Sequence, residues 1–206
     1  GCNPNDRRES SSSLKDVEAL VAKNELDPAI ALLEKMRAKD NTDPKVSARS
    51  AELYTSKHEI PKAVILYKEL IEKHPEIALV HVPLGQIYLG LHQYPEAKAA
   101  FEKARSGGVG DAHVALSLGI CQGQLGDLEA ADQEFERALK AGEAEKTVRY
   151  NQALLRTEKK QFKEAKGLLE DILANDPHNA AAKRELAHVL QVMAPPDVAT
   201  LKRSMD

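Results

Sequence analysis

The sequence predicts an all-α fold, a right-handed α-solenoid built from antiparallel helix pairs. Three observations predict it: an internal repeat of 34 residues, apolar residues spaced three and four apart within each period, and an unusual composition. Aromatic residues make up only 4% of the chain and tryptophan is absent, whereas charged residues reach 30%. Because a single large core normally depends on aromatic side chains for its buried area, this composition favours helices packed in thin layers.

An alanine that recurs every 34 residues sets the register of the repeat. These alanines are Ala29, Ala63, Ala97, Ala131, Ala165 and Ala199. A large apolar residue follows the first five of them by four positions: Leu33, Tyr67, Phe101, Phe135 and Leu169. A small residue precedes most of them by twelve positions, for example Gly85 and Gly119. Columns that hold over five or six periods indicate a true repeat, and their spacing predicts two helices per period.

This register places each element along the chain. We expect a flexible polar tether over residues 1–13 and a solenoid over 14–193, followed by a tail or partial helix over 194–206. The helix pairs are predicted at about 10–43, 44–77, 78–111, 112–145 and 146–179, with a capping helix over 180–193. Asp43 before Pro44 is typical of a helix N-cap followed by a first-position proline. Pro195 and Pro196 interrupt the last pair, so its second helix is at most a stub.

The motifs within the repeat resemble those of a known family. Leu84-Gly85, Tyr88, Ala97 and Phe101 match the pattern of the tetratricopeptide repeat, and the period from Leu118-Gly119 matches nearly as well. The resemblance covers about residues 10–193, although the first and fifth repeats are degenerate and the tryptophan of the first helix is absent. It implies a scaffold that binds another protein, through a helix or a peptide segment.

Little in the sequence indicates catalysis. The histidines, His58, His74, His81, His92, His113, His178 and His188, form no helical pair four residues apart with an accompanying carboxylate. Cys121 occupies a column of small and aliphatic residues, so we interpret it as a buried hydrophobic residue. The net charge of −3 is spread along the chain, which does not favour nucleic-acid binding. We therefore expect no enzyme, no metal site, no cofactor and no nucleic-acid partner.

The register also predicts a partner-binding groove along one face of the first helices. Its predicted residues are Leu79, Val82, Gln86, Leu89, His113, Leu116, Ile120, Tyr150, Asn151 and Leu154. Two interpretations of the apolar members stay open: they line a groove for an amphipathic helix or an extended segment, or they only add to packing between helices. Pro83 lies early in its helix, where it could tilt the start of this wall. Within the family, co-chaperones use Lys and Asn to bind a terminal carboxylate, and here only Asn151 fits that scheme.

The N-terminal residues suggest a setting for the scaffold. Gly1-Cys2 before a polar, serine-rich stretch resembles the cleavage junction of a bacterial lipoprotein, which implies lipidation at Cys2 and an envelope location facing the periplasm. The layout of a lipidated cysteine, a short linker and five or six repeats is similar to that of pilotin-like lipoproteins. These assist the assembly of pilus or secretion complexes. The alternative is a soluble cytoplasmic adaptor or co-chaperone-like protein, in which Cys2 is not lipidated.

Overall fold

The structure is a computed structural model that describes residues 14–194. It consists of α-helices and one 3₁₀ turn, and this part of the chain contains no strand. Residues 14–22 form α1, and the following helices are α2 (Leu26–Lys39), α3 (Pro44–Ser56), α4 (Ile60–Lys73), α5 (His81–Gly90), α6 (Tyr94–Ser106), α7 (Ala112–Gln124), α8 (Leu128–Lys140), α9 (Glu145–Glu158), α10 (Phe162–Asn175) and α11 (Ala180–Met193). The all-α prediction is confirmed. The predicted tether with Cys2, and the tail from Pro195 onward, lie outside the described residues.

The described residues divide into two compact units, unit 1 ending at Gly110 and unit 2 beginning at Asp111. Unit 1 contains α1–α6 and unit 2 contains α7–α11, and each unit has its own buried apolar clusters. The sequence predicted one array over 14–193. The division falls at the end of the Gly107–Gly110 turn, which contains three glycines, and glycine has high backbone freedom.

The turn inside each helix pair has the same backbone structure in every repeat. The residue two positions after the first helix has a positive φ, and these residues are Asn24, His58, His92, Gly126 and Lys160. In the third pair, the His92 amide donates to the Leu89 carbonyl at 3.0 Å and the Gln93 amide donates to the Tyr88 carbonyl at 2.9 Å. Equivalent bonds close the other four turns. This is the Schellman pattern of helix termination, which normally uses glycine at the left-handed position.

Close helix approach depends on the small residues of the repeat. A Cβ added at Gly85 would lie 2.9 Å from the Phe101 ring, and one added at Gly119 would lie 2.8 Å from the Phe135 ring. Both rings are fully buried. The small residue on the first helix and the large one on the second, which belong to two columns of the repeat, are therefore in direct contact. This contact brings the two backbones together, as dense packing requires.

Polar side chains begin several of the helices. The Asp43 carboxylate accepts hydrogen bonds from the Lys45 amide at 2.9 Å and from the Val46 amide, so the predicted N-cap of α3 is confirmed. Asp111, Asp127 and Asn179 cap α7, α8 and α11 in the same way. Each cap satisfies an amide that the helix itself leaves without a partner.

Candidate partner-binding face

The unit 1 residues of the predicted groove differ in how far they are exposed. Leu79 is 62% exposed, Gln86 is exposed, and Val82 and Leu89 are half-buried. Leu79 lies in the 3₁₀ turn Ala78–Val80 and not in the helix, because α5 begins only at His81. Pro83 explains the late start: a proline has no amide to donate, so it is tolerated in the first turn of a helix but not deeper inside one.

Arg49 on α3 is paired with two carboxylates of the first helices of unit 1. The Arg49 guanidinium contacts Glu18 at 2.6 Å and Glu52 at 2.8 Å. Near the start of α5, burial and the positive charge of Lys103 lower the pKa of His81 below its usual value of 6.5. This shift favours the neutral form of the imidazole. Neither arrangement presents a concentrated charge to a partner.

Leu116 is a core residue in unit 2, which corrects one member of the predicted groove. Its side chain is 7% exposed and belongs to the apolar cluster that contains Phe135 and Val148. Every residue from Val114 to Gly119 is buried, because α7 packs against both α8 and α9. A helix buried on more than one face has no single apolar stripe, so helical spacing could not distinguish core from groove at this position.

The remaining predicted residues of unit 2 lie nearer the surface. His113 is exposed, whereas Ile120, Tyr150, Asn151 and Leu154 are half-buried. Three of them, Ile120, Asn151 and Leu154, line one small cavity between α7 and α9, which we call the recess. Its volume is about 110 Å³ and its lining consists of Ile120, Gln124, Phe135, Asn151, Leu154, Leu155 and Glu158. The recess is thus formed by apolar side chains with a few polar groups among them, as is usual for ligand pockets.

The polar lining of the recess is held by hydrogen bonds within and between the two helices. The Asn151 side-chain amide donates to the Thr147 carbonyl at 2.8 Å, and the Gln124 amide donates to the Glu158 carboxylate. Gln124 and Glu158 were missed by the sequence analysis. Each lies four positions after a predicted groove residue, Ile120 or Leu154, so extending the same helical face by one turn would have found them.

A second, larger cleft in unit 2 is lined mainly by charged and polar residues. It has a volume of about 760 Å³, lies against α8, and includes Arg156 and Gln161 in its lining. The Arg156 guanidinium is paired with Asp132 on α8 and with Glu164 on α10, the latter at 3.1 Å. These pairs tie three helices together. Arg156 occupies the column that holds Tyr54 and Tyr88 in unit 1, so here an ionic contact replaces an aromatic one.

The part of the chain between residues 14 and 194 lacks two kinds of feature. It contains no group of three or more His, Cys, Asp or Glu side chains able to hold a metal ion. None of its helices has the length and apolar character needed to span a membrane. Cys121 is fully buried, in agreement with its interpretation as a core residue.

Comparison with known proteins identifies the repeat. Residues 82–146 match the family model of the tetratricopeptide repeat. Residues 82–146 thus carry tetratricopeptide repeats. No curated protein sequence matches it. Tetratricopeptide arrays are protein-binding scaffolds, which present an extended surface to their partners.

Solved structures agree with this fold over nearly the whole chain. A tetratricopeptide repeat protein from Parabacteroides merdae superposes with a TM-score of 0.80 at 15% identity, over 89% of this chain and 73% of that one. YrrB, described as a tetratricopeptide protein with an unusual peptide-binding site, gives 0.71 at 19% identity, over 84% and 89%. The pilF protein of Pseudomonas aeruginosa gives 0.68 at 15% identity, over 98% and 99%. At these identities the similarity shows the tetratricopeptide fold.

Proposed function

We propose that this tetratricopeptide protein is a scaffold that holds a helix or an extended segment of a partner protein against its first helices. The observation that carries the proposal is the recess of unit 2. Three groove residues predicted from the repeat register, Ile120, Asn151 and Leu154, meet there around a cavity, although they come from two different repeats. Peptide recognition by helical surfaces uses such apolar pockets with a few polar groups to fix the bound segment.

Site-specific photo-crosslinking tests this proposal. Benzoylphenylalanine placed at Leu154, beside the recess, is expected to give one dominant crosslinked partner after irradiation of cells that produce the protein. The control position is Ile65 on α4, which is 56% exposed and belongs to no predicted groove. Equal crosslinking from both positions, or none from Leu154, would contradict the proposal.

A double variant measures the contribution of the recess to capture. Ile120→Gln with Leu154→Gln makes two apolar walls of the recess polar without removing the buried Leu116. We expect the crosslinked partner, purified, to bind the double variant at least tenfold more weakly, since each large apolar side chain buried in an interface contributes about 1.5–3 kcal/mol. Ile65→Gln serves as the matched control and should bind as the unchanged protein does.

We further propose that the scaffold works in a bacterial cell envelope, anchored by lipid at Cys2, where it assists assembly of a pilus or secretion complex. Two features support this setting: Gly1-Cys2 precedes a polar serine-rich stretch, and pilF of Pseudomonas aeruginosa shares the fold over 98% of this chain. Stable anchoring would need more than one acyl chain on the cysteine.

Metabolic labelling with an alkyne fatty acid tests the anchor. The protein expressed from its full gene should incorporate label and sediment with membranes, whereas Cys2→Ala should do neither. Cys121→Ala is the control and should keep the label. A label-free protein in the soluble fraction would instead support the cytoplasmic adaptor.

A further inference from the structure

We propose that the recess of unit 2 selects a partner segment by one aliphatic side chain that lies next to a basic residue. This inference rests on the proposed function and adds the chemistry of the partner to it.

The size of the recess limits what enters it. Its volume of about 110 Å³ is smaller than the cavity of about 150 Å³ that accommodates a benzene molecule in another protein. A branched aliphatic side chain of the size of leucine, isoleucine or valine fits such a space, whereas an indole ring does not. The recess therefore admits an aliphatic side chain and excludes the side chain of tryptophan.

The walls of the recess suit an aliphatic side chain. Ile120 and Leu154 form its half-buried sides, while Phe135 and Leu155 are buried beneath them, fully and almost fully. Apolar surface of this kind gains from contact with another apolar side chain because water is released from both. The Leu155 side chain packs tightly against α7, since a Cβ added to Gly123 would lie only 2.3 Å from it.

The polar groups of the recess accept hydrogen bonds and carry negative charge. The Asn151 amide nitrogen is engaged by Thr147, which leaves the Asn151 oxygen as an acceptor for a backbone amide of the partner. Glu158 is exposed and receives a hydrogen bond from the neutral Gln124. Within residues 14–194, no lysine or arginine forms an ion pair with Glu158, and the nearby Lys159 ammonium donates to the Gln124 carbonyl instead. A carboxylate in this position attracts a positive charge on the partner.

Capped dipeptides test the proposal on the full chain. Methyl-labelled protein is titrated with acetylated and amidated leucyl-lysine, alanyl-lysine, tryptophanyl-lysine and leucyl-glutamine, and the methyl signals of Ile120 and Leu154 are followed by NMR. We expect saturable shifts with leucyl-lysine at millimolar concentration, as is typical of ligands this small. Alanyl-lysine and tryptophanyl-lysine should bind about tenfold more weakly or worse, because one is too small to fill the recess and the other too large.

Two variants separate the contributions of size and charge. Glu158→Gln should abolish the preference for leucyl-lysine over leucyl-glutamine, and Ile120→Phe should fill the recess and abolish the shifts of the Leu154 methyls. Leu125→Phe, at a position 47% exposed outside the recess, is the control and should bind all four dipeptides as before. Absence of saturable shifts, or equal binding of the four dipeptides, would overturn the proposal. Crosslinking at Leu154 distinguishes failure of this inference from failure of the proposed function. If a partner crosslinks at Leu154 but the dipeptides are not discriminated, the scaffold proposal stands and only this inference is wrong.

Discussion

Replacing Gly119 by alanine tests whether the glycine column exists for packing. Gly119 lies inside α7, and a Cβ at this position would be 2.8 Å from two ring carbons of Phe135 and 3.2 Å from the Ala131 carbonyl oxygen. Phe135 is fully buried, so its ring cannot turn outward, and the carbonyl belongs to the backbone of α8. The two helices would have to move apart to admit the methyl group.

The expected magnitude follows from two opposing effects. Alanine in place of glycine inside a helix raises the free energy of unfolding by about 1 kcal/mol. Overpacking a dense core lowers it by about 1–3 kcal/mol. The net effect of Gly119→Ala is then a loss of up to about 2 kcal/mol. Gly167→Ala in α10 isolates the first effect, because nothing lies within 4 Å of the added Cβ, and it should raise the free energy of unfolding by up to about 1 kcal/mol.

Urea unfolding followed by circular dichroism at the helix band compares the two variants, and both changes lie in unit 2. The difference between them should be about 1–3 kcal/mol, with Gly119→Ala the less stable. Phe135→Leu, which shortens the opposing side chain, should reduce that difference when combined with Gly119→Ala. If the two alanine variants gain equal stability, then the glycine is not needed for close approach and the packing argument is wrong.

Three further predictions concern backbone strain and titration. Lys160 has a φ of 60°, so Lys160→Gly should raise the free energy of unfolding by up to about 1 kcal/mol. Gly126 has a φ of 99° and open space around it, so Gly126→Ala should lower the free energy of unfolding by about the same amount. The same urea assay measures both changes. Burial raises the pKa of Tyr67 to about 12, so the unfolded chain loses this proton first and stability should fall as the pH rises from 10 towards 12. Denaturation series at stepped pH measure that fall, and Tyr67→Phe should lessen it. Lys103→Gln should raise the pKa of His81 towards its ordinary value, because it removes a nearby positive charge. NMR titration of the imidazole measures this pKa. An unchanged value would mean that burial alone lowers it.

The repeat register made most of the fold predictable. The alanine column, the small residues opposite Phe101 and Phe135, and the cap at Asp43 are local patterns, and the sequence displays local patterns directly. The start of α5 was harder to place, because Pro83 restricts where the helix can begin and the sequence does not fix the exact residue. The left-handed turns were also missed. His58 and His92 are not glycine, the residue that normally signals such a turn, and only the closed hydrogen bonds of the turn reveal them.

The candidate site was predicted only in part, for a different reason. Leu116 and Ile120 lie four residues apart on the same helix, and both are aliphatic, yet one is buried in the core and the other borders the recess. What separates them is the position of α8 and α9 around α7, which is a tertiary property. Gln124 and Glu158 follow Ile120 and Leu154 by one helical turn, so the repeat register could have placed them on the same face. Their hydrogen bond joins two helices, and that contact could not be read from the register.

The identical turns have a consequence for how such a chain changes in length. In the five turns, a left-handed residue recurs at a fixed interval of 34 residues, from Asn24 to Lys160. Four of these residues are not glycine, so the conformation is imposed by the helices on either side. Deleting a few residues would move a left-handed position into a helix, but deleting a whole period of 34 residues would keep every remaining turn in its place. We expect natural variants to gain or lose whole helix pairs, and the protein to vary its reach towards partners in discrete steps.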